Sequence, residues 1–151
     1  KSVLPALMTM CTLIAVSNLM KNSGMIMVMA QTAAAAAGNM YPPVAVAIGS
    51  LGAFITGTGL GSNIMFSPMH VEAALQLGLN PIVVCAGQNA GAALGNLICP
   101  NNIVAAAITV GLIGREGEVM KKVFPPFFII CGLYMVLSLL YSLVLFPGFG
   151  M

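Results

Sequence analysis

The sequence predicts an all-α integral membrane protein built around a re-entrant helical hairpin and a discontinuous transmembrane helix. Three observations carry that prediction. Of the 151 residues, 60% are hydrophobic and 5% are charged, whereas a soluble domain carries about 25% charged residues. The apolar runs are broken mainly by polar, glycine-rich stretches rather than by charged loops. One such stretch, Gly49–Asn63 (G-S-L-G-A-F-I-T-G-T-G-L-G-S-N), lies between apolar arms that are each shorter than a full span. An irregular polar tip at membrane depth is tolerated only where protein or a wet cavity surrounds it.

The first element is residues 3–37. Val3 to Met20 is apolar and long enough for one span, which needs roughly 20 residues. Lys21-Asn22-Ser23-Gly24 interrupts it, and Met25 to Ala37 continues as a second apolar segment. A straight helix over the whole stretch would be about 50 Å long at 1.5 Å per residue, against an apolar core of about 30 Å. It therefore bends near 21–24 or runs strongly tilted. Lys21 fits an interface position from which a long side chain reaches the headgroups.

Residues 43–78 form the hairpin. Tyr41-Pro42-Pro43 opens it, with proline placed for a first helical turn. Val44 to Thr56 is one arm, Asn63 to Leu77 the other, and Gly78-Leu79-Asn80-Pro81 closes it. The tip is expected over Thr56–Asn63, where Gly57, Gly59 and Gly61 open conformations closed to other residues.

Residues 81–113 form the broken helix. Gly87, Gly91 and Gly95 recur every four residues and leave one face bare, the pattern that lets membrane helices approach closely. Gln88, Asn89 and Asn96 add polar groups, and Asn89 and Asn96 share a face. Cys99-Pro100-Asn101-Asn102 interrupts the helix, because Pro100 removes a backbone donor and disfavours helix at Cys99. Discontinuous helices of this kind mark substrate sites in secondary transporters.

Gly114 to Lys122 is the charged loop, and residues 123–146 are the last span, with Pro125-Pro126 in its first turn and Pro147-Gly148 stopping it. Lysine and arginine mark cytoplasmic loops. Arg115, Lys121 and Lys122 thus place that loop inside, and the hairpin dips in from outside. Lys1 falls inside as well. The chain opens on Lys1 directly into an apolar run, which is expected of a piece of a longer protein.

Several function classes are disfavoured. The net charge is +2 with no basic patch, so no nucleic-acid partner is expected; the lipid bilayer is. Cys11, Cys85, Cys99 and Cys131 form no CxxC pair and have no histidine at metal-ligand spacing, so no metal or cofactor is expected. G-T-G-L-G lacks the spacing of a dinucleotide fingerprint and the Lys-Ser/Thr of a phosphate loop. There is no nucleophile–base set, so no enzyme is expected.

The two tips, Thr56–Asn63 and Ile98–Ile103, carry the candidate chemistry. If they meet, the helices beginning at Ser62-Asn63 and Asn102-Ile103 aim their N-termini at one spot, which favours an anion such as a carboxylate. The candidate substrate ligands are Thr56, Thr58, Gly59, Ser62, Asn63, Asn89, Asn96, Asn101 and Asn102. The same residue types also serve as ordinary helix caps. His70 and Glu72 are candidates for a proton relay, since ionisable groups at membrane depth are functional by default. They are two residues apart and do not face each other on a helix, and both are expected more than a turn past the tip, toward the outer interface.

Three ordered motifs carry a family resemblance: T-G-T-G-L-G-S-N-I-M-F from Thr56, A-G-Q-N-A-G-A-A-L-G-N-L-I-C-P-N-N-I-V-A-A-A from Ala86, and V-G-L-I-G-R-E-G-E from Val110. With L-P-A-L-M-T and N-S-G-M near the start, they resemble the C-terminal part of the L-lactate permease family. The resemblance implies a bacterial inner-membrane, multi-pass proton symporter for lactate, glycolate or a related 2-hydroxy acid. It implies an ion-transporter-like fold of two inverted repeats, of which this chain is most of the second, and a partner in the rest of the same transporter chain. The sequence departs from some members at Gly59, where they carry aspartate, and at Asn96, where they carry lysine. The alternatives are an ion channel whose T-G-T-G-L-G loop lines a filter, or a related carrier for another small organic anion.

Overall fold

The computed structural model describes residues 3–145, and no strand occurs among them. α1 (Val3–Asn22) and α2 (Met25–Ala37) are separated by Ser23-Gly24. The run Cys11–Asn22 is bent by 74° from the run Met25–Thr56 across that break. One 3₁₀ turn, Gly38–Met40, leads from α2 into α3 (Tyr41–Thr56). Pro42 and Pro43 lie in the first turn of α3, where an N–H would have had no helical partner anyway.

α4 (Gly59–Leu77) returns antiparallel to α3. The irregular tip is therefore only Gly57-Thr58, shorter than the Thr56–Asn63 expected from the sequence. Gly57 has φ 76° and its N–H bonds back to Ala53 O at 2.9 Å, closing α3. Thr58 is extended, and its hydroxyl accepts from Gly61 N at 2.9 Å, capping α4. These two residues complete the reversal, so Gly59, Gly61, Ser62 and Asn63 are already helical. Only Gly57 of the three alternating glycines uses a positive φ. Gly61 is small for a different reason: a Cβ there would sit 2.8 Å from Thr58 Oγ1.

α5 (Pro81–Ile98) starts at Asn80, whose Oδ1 accepts from Ile82 N and Val83 N. α6 (Pro100–Thr109) follows at an angle of 50°. Cys99 is extended, as the residue before a proline prefers. Turns with Gly111 and Gly114 at positive φ lead on to α7 (Glu116–Leu140).

The charged stretch is thus largely the start of α7, and Pro125-Pro126 lie inside that helix rather than in its first turn. Glu116 and Glu118 complement the positive end of the helix. Gly114 N–H donates to the Glu116 carboxylate at 2.9 Å and holds it below the usual range. Arg115 pairs with Glu118. A π-helical turn, Tyr141–Leu145, extends α7. The Phe146 end, its Pro147-Gly148 stop and Lys1 lie outside the described residues.

α3, α4 and α5 form the centre, with α2 against α4 and α7 against α3 and α5. The glycine stripe of α5 lies on α3 and α7. A Cβ on Gly91 would overlap the Val46 carbonyl, and one on Gly95 the Ser50 carbonyl, while Gly87 faces Ser138 Oγ of α7. Gly49 of α3 answers from the other side against Gln88 O. Backbone contact this close maximises dispersion where lipid supplies no hydrophobic drive between helices. Ser50 Oγ adds a bond to Gly91 O at 2.9 Å.

Among the described residues, Glu116–Leu145 is the one helix long and apolar enough to cross a membrane alone. The bent pairs Cys11–Asn22 with Met25–Thr56 and Pro81–Ile98 with Pro100–Thr109 are so when each pair is taken as one span. The outer face of α7 exposes Ile129, Leu133 and Val136. An all-helical chain with this surface is a membrane protein: no charged shell covers its apolar faces.

Candidate functional site

The hairpin tip and the break in the second bent pair meet. A Cβ on Gly57 would lie 3.2 Å from Asn101 Nδ2 and 3.8 Å from Cys99 Sγ. Two chain interruptions about forty residues apart are thereby in contact. The N-terminus of α4, at Thr58-Gly59, and that of α6, at Cys99-Pro100, open beside each other. Both lie earlier in the chain than the Ser62-Asn63 and Asn102-Ile103 starts expected from the sequence.

The N–H groups of Gly59 and Leu60 on α4 and of Asn101 on α6 precede the first intrahelical bonds of those helices. Thr58 and Asn101 are exposed at this spot. Thr58 uses its oxygen for the cap, which leaves its hydroxyl hydrogen to donate.

Other predicted ligands are spent on structure. Thr56 Oγ1 donates within the tip, to Gly52 O at 2.8 Å and Thr58 O at 2.9 Å. Asn102 Nδ2 donates to Asn96 O at 2.8 Å and Asn96 Oδ1 at 2.7 Å, which ties α6 to the last turn of α5. Ser62 is fully buried and donates to Gly49 O at 2.9 Å. A Cβ on Gly59 would lie 3.7 Å from Ala92 O of α5, an ordinary contact.

A buried polar chain runs inward from the tip. Asn63 Nδ2 donates to Asn89 Oδ1 at 2.7 Å near the surface. Gln88 Nε2 donates to Ser62 Oγ at 3.0 Å and to Asn63 Oδ1 at 3.3 Å. Gln88 Oε1 meets His70 Nε2 at 2.9 Å, and His70 Nδ1 meets Tyr41 Oη at 2.7 Å. Tyr41, His70, Gln88 and Ser62 are all fully buried. His70 therefore sits at the junction of α3, α4 and α5, buried between helices, more than a turn past the tip and toward the Tyr41 end of the hairpin. Glu72 lies apart from this chain and accepts from Gln76 Nε2 at 3.2 Å.

Sequence reasoning missed Tyr41 and left Gln88 out of the ligand set. A signal existed for Gln88. It shares the α5 face of Gly91 and Gly95 three and seven residues on, so it had to point into the same close-packed seam. Tyr41 carried no such signal, because its role depends on the hairpin folding α3 against α4. Among the described residues no three His, Cys, Asp or Glu side chains cluster closely enough to share a metal ion.

The comparisons with known proteins bear on this geometry. The chain is 30% identical over 115 residues to the L-lactate permease of Halalkalibacterium halodurans, covering 76% of this chain and 22% of that protein. Over 115 residues it is 29% identical to the L-lactate permease of Bacillus subtilis, covering 76% and 20%. The L-lactate permease of Streptococcus iniae is 38% identical over 85 residues, covering 56% and 18%. The chain spans about a fifth of the length of these curated relatives, which are named as permeases rather than enzymes. No solved structure matches it. A family model described as L-lactate permease matches residues 1–145, and with its bent helix pairs and apolar surface the chain belongs to the L-lactate permease family.

Proposed function

We propose that this chain is the C-terminal portion, the second inverted repeat, of a secondary transporter that imports lactate, glycolate or a related 2-hydroxy acid with protons. It works in the bacterial inner membrane as part of a longer, multi-pass protein with an ion-transporter-like fold. Residues 43–78 are the re-entrant hairpin and 81–113 the broken helix. The observation that carries the proposal is the apposition of Gly57 and Asn101. It brings two helix N-termini together without any carboxylate side chain beside them.

The substrate carboxylate takes hydrogen bonds from the N–H groups of Gly59, Leu60 and Asn101, the Thr58 hydroxyl and the Asn101 amide. Bonds to a charged acceptor contribute roughly 1.5–3 kcal/mol each, and the two helix ends add their dipoles. Asn89, with its amide nitrogen turned to the surface, is placed for the 2-hydroxyl group. Thr56, Ser62, Asn63, Asn96 and Asn102 hold the two tips in register. His70 is the proton site.

The test is to change Asn63 and Asn102 to aspartate, one at a time, in the full-length protein and to measure L-lactate binding. Each carboxylate repels an anion, so binding should weaken at least about tenfold, or by roughly 1.4 kcal/mol, while the protein still folds. Unchanged lactate binding in both folded variants would sink the site.

A further inference from the structure

We propose that Gln88 is a positioning residue that couples the protonation of His70 to the grip of the hairpin tip on its anion. This rests on the carboxylate-site reading above.

The direction of the buried chain carries the inference. The Gly49 carbonyl can only accept, so the Ser62 hydroxyl hydrogen is committed to it. Ser62 Oγ then accepts from Gln88 Nε2. That orientation turns Gln88 Oε1 to His70, and an amide oxygen only accepts, so His70 Nε2 carries the hydrogen. Nδ1 of the neutral ring is the acceptor, and the Tyr41 hydroxyl donates to it. Gln88 Nε2 also orients Asn63 through its Oδ1, which leaves Asn63 Nδ2 facing Asn89 near the surface. The tautomer of a fully buried histidine is thus locked to the amide orientation of a half-buried asparagine at the tip.

A proton can arrive only at Nδ1, the one open acceptor on the ring. Tyr41 must then rotate its O–H away and accept instead. The imidazolium donates to Gln88 Oε1 through a charge-assisted bond, which is shorter and about twice as strong as the neutral one. The amide is polarised in turn, so its Nε2–H groups bind Ser62 and Asn63 more tightly, Asn63 Nδ2 becomes a better donor to Asn89 Oδ1, and the Asn89 amide N–H becomes a better donor to the substrate 2-hydroxyl. A proton on His70 therefore strengthens anion binding at the tip, and by linkage the anion strengthens proton binding equally. That is the sign co-transport requires.

Few other ionisable groups bear on the ring. Tyr41 on α3 is its direct partner. Cys85 on α5 is near enough to act on the Tyr41 hydroxyl, and its thiol lies 4.0 Å from Ser67 O. α2 carries no titratable side chain. On α1, Cys11 and Lys21 are exposed, and Glu72 on α4 is bonded to Gln76. Among the described residues no carboxylate or cation bonds to the ring, and its polar partners are a phenol and an amide.

The experiment uses the full-length protein in proteoliposomes and in detergent. Saturable L-lactate uptake is measured from about pH 4 to about pH 9, a range that extends below ordinary histidine titration. Gln88→Glu keeps an oxygen toward His70 but adds a negative charge beside it. The midpoint of the pH dependence should rise by about one unit or more, and the KM for lactate should rise because Asn63 has lost its orienting donor. An unmoved midpoint would overturn the coupling. A second measurement needs no folded Gln88 variant: L-lactate added to wild-type protein in weak buffer should take up about one proton per lactate bound. His70→Gln should bind lactate with no proton uptake. Proton uptake that is absent in the wild type, or persists in His70→Gln, would overturn the coupling too. Weakened lactate binding in Asn102→Asp with an unmoved Gln88→Glu midpoint sinks the coupling and leaves the site standing. Unchanged binding in Asn63→Asp and Asn102→Asp sinks the site instead.

Discussion

Gly91 of α5 lies directly on the backbone carbonyl of Val46 in α3, so close that any side chain at Gly91 would overlap it. One turn further on, Gly95 repeats the relationship with Ser50. The neighbouring atoms are main chain, which cannot swing aside as a flexible side chain could. This seam holds Gln88 within reach of Ser62 and His70 and holds the break at Cys99 against the hairpin tip.

The first prediction follows from that seam. Gly91→Ala should lower stability by about 1–3 kcal/mol, the usual cost of forcing extra atoms into a packed core. Gly91→Leu should prevent folding or abolish uptake. Thermal unfolding of the full-length protein in detergent, with uptake alongside, measures both. Normal stability in Gly91→Leu would mean that α3 and α5 do not meet this way in the membrane.

The second prediction concerns the tip. Thr58 caps α4 by accepting from Gly61 N, and replacing such a cap by alanine costs about 1 kcal/mol. Thr58→Ala should lose about that much stability and weaken lactate binding as well, since the hydroxyl hydrogen is lost. Thr58→Ser should restore both. A Thr58→Ala protein that binds lactate as tightly as wild type would remove Thr58 from the site.

The third prediction concerns orientation. In a cysteine-free background, single cysteines at Arg115 or Lys122 should react with an impermeant reagent only from the cytoplasmic side. Cysteines at Asn39 or Gly78 should react only from outside. These two positions are exposed at the base of the hairpin, whereas the neighbouring Tyr41 and Asn80 are buried. Labelling of Arg115 from outside would reverse the topology.

Local chemistry was legible in the residues themselves. The scarcity of charge and the long apolar runs determined an all-helical membrane chain, because continuous apolar runs satisfy their backbone in lipid as helices, whereas barrel strands alternate apolar and polar residues. Pro81 marked a helix start, Pro100 marked a break, and Gly87, Gly91 and Gly95 marked a face built for close approach. The length of the tip was not legible. A stretch with three alternating glycines looks irregular throughout, yet one left-handed glycine and one capping threonine reverse the chain, Gly61 is small to make room, and a Cβ at Gly59 would meet only ordinary contacts. The start of α7 was hidden for a similar reason: Glu116 and Glu118 look like loop residues until their place at a helix N-terminus is known.

By itself the sequence determined the helices, their breaks and the polar residues available near each break, since these depend on neighbours within a few positions. Only the tertiary structure decided which polar residues share hydrogen bonds. His70 and Glu72 looked alike in the sequence, two ionisable residues two positions apart, yet the α3–α5 seam places His70 between Tyr41 and Gln88 and leaves Glu72 outside. Hydrogen-bond partners are selected by distances of about 3 Å. Positions eighteen to twenty-nine residues apart in the chain come that close only when glycine backbones let the helices touch.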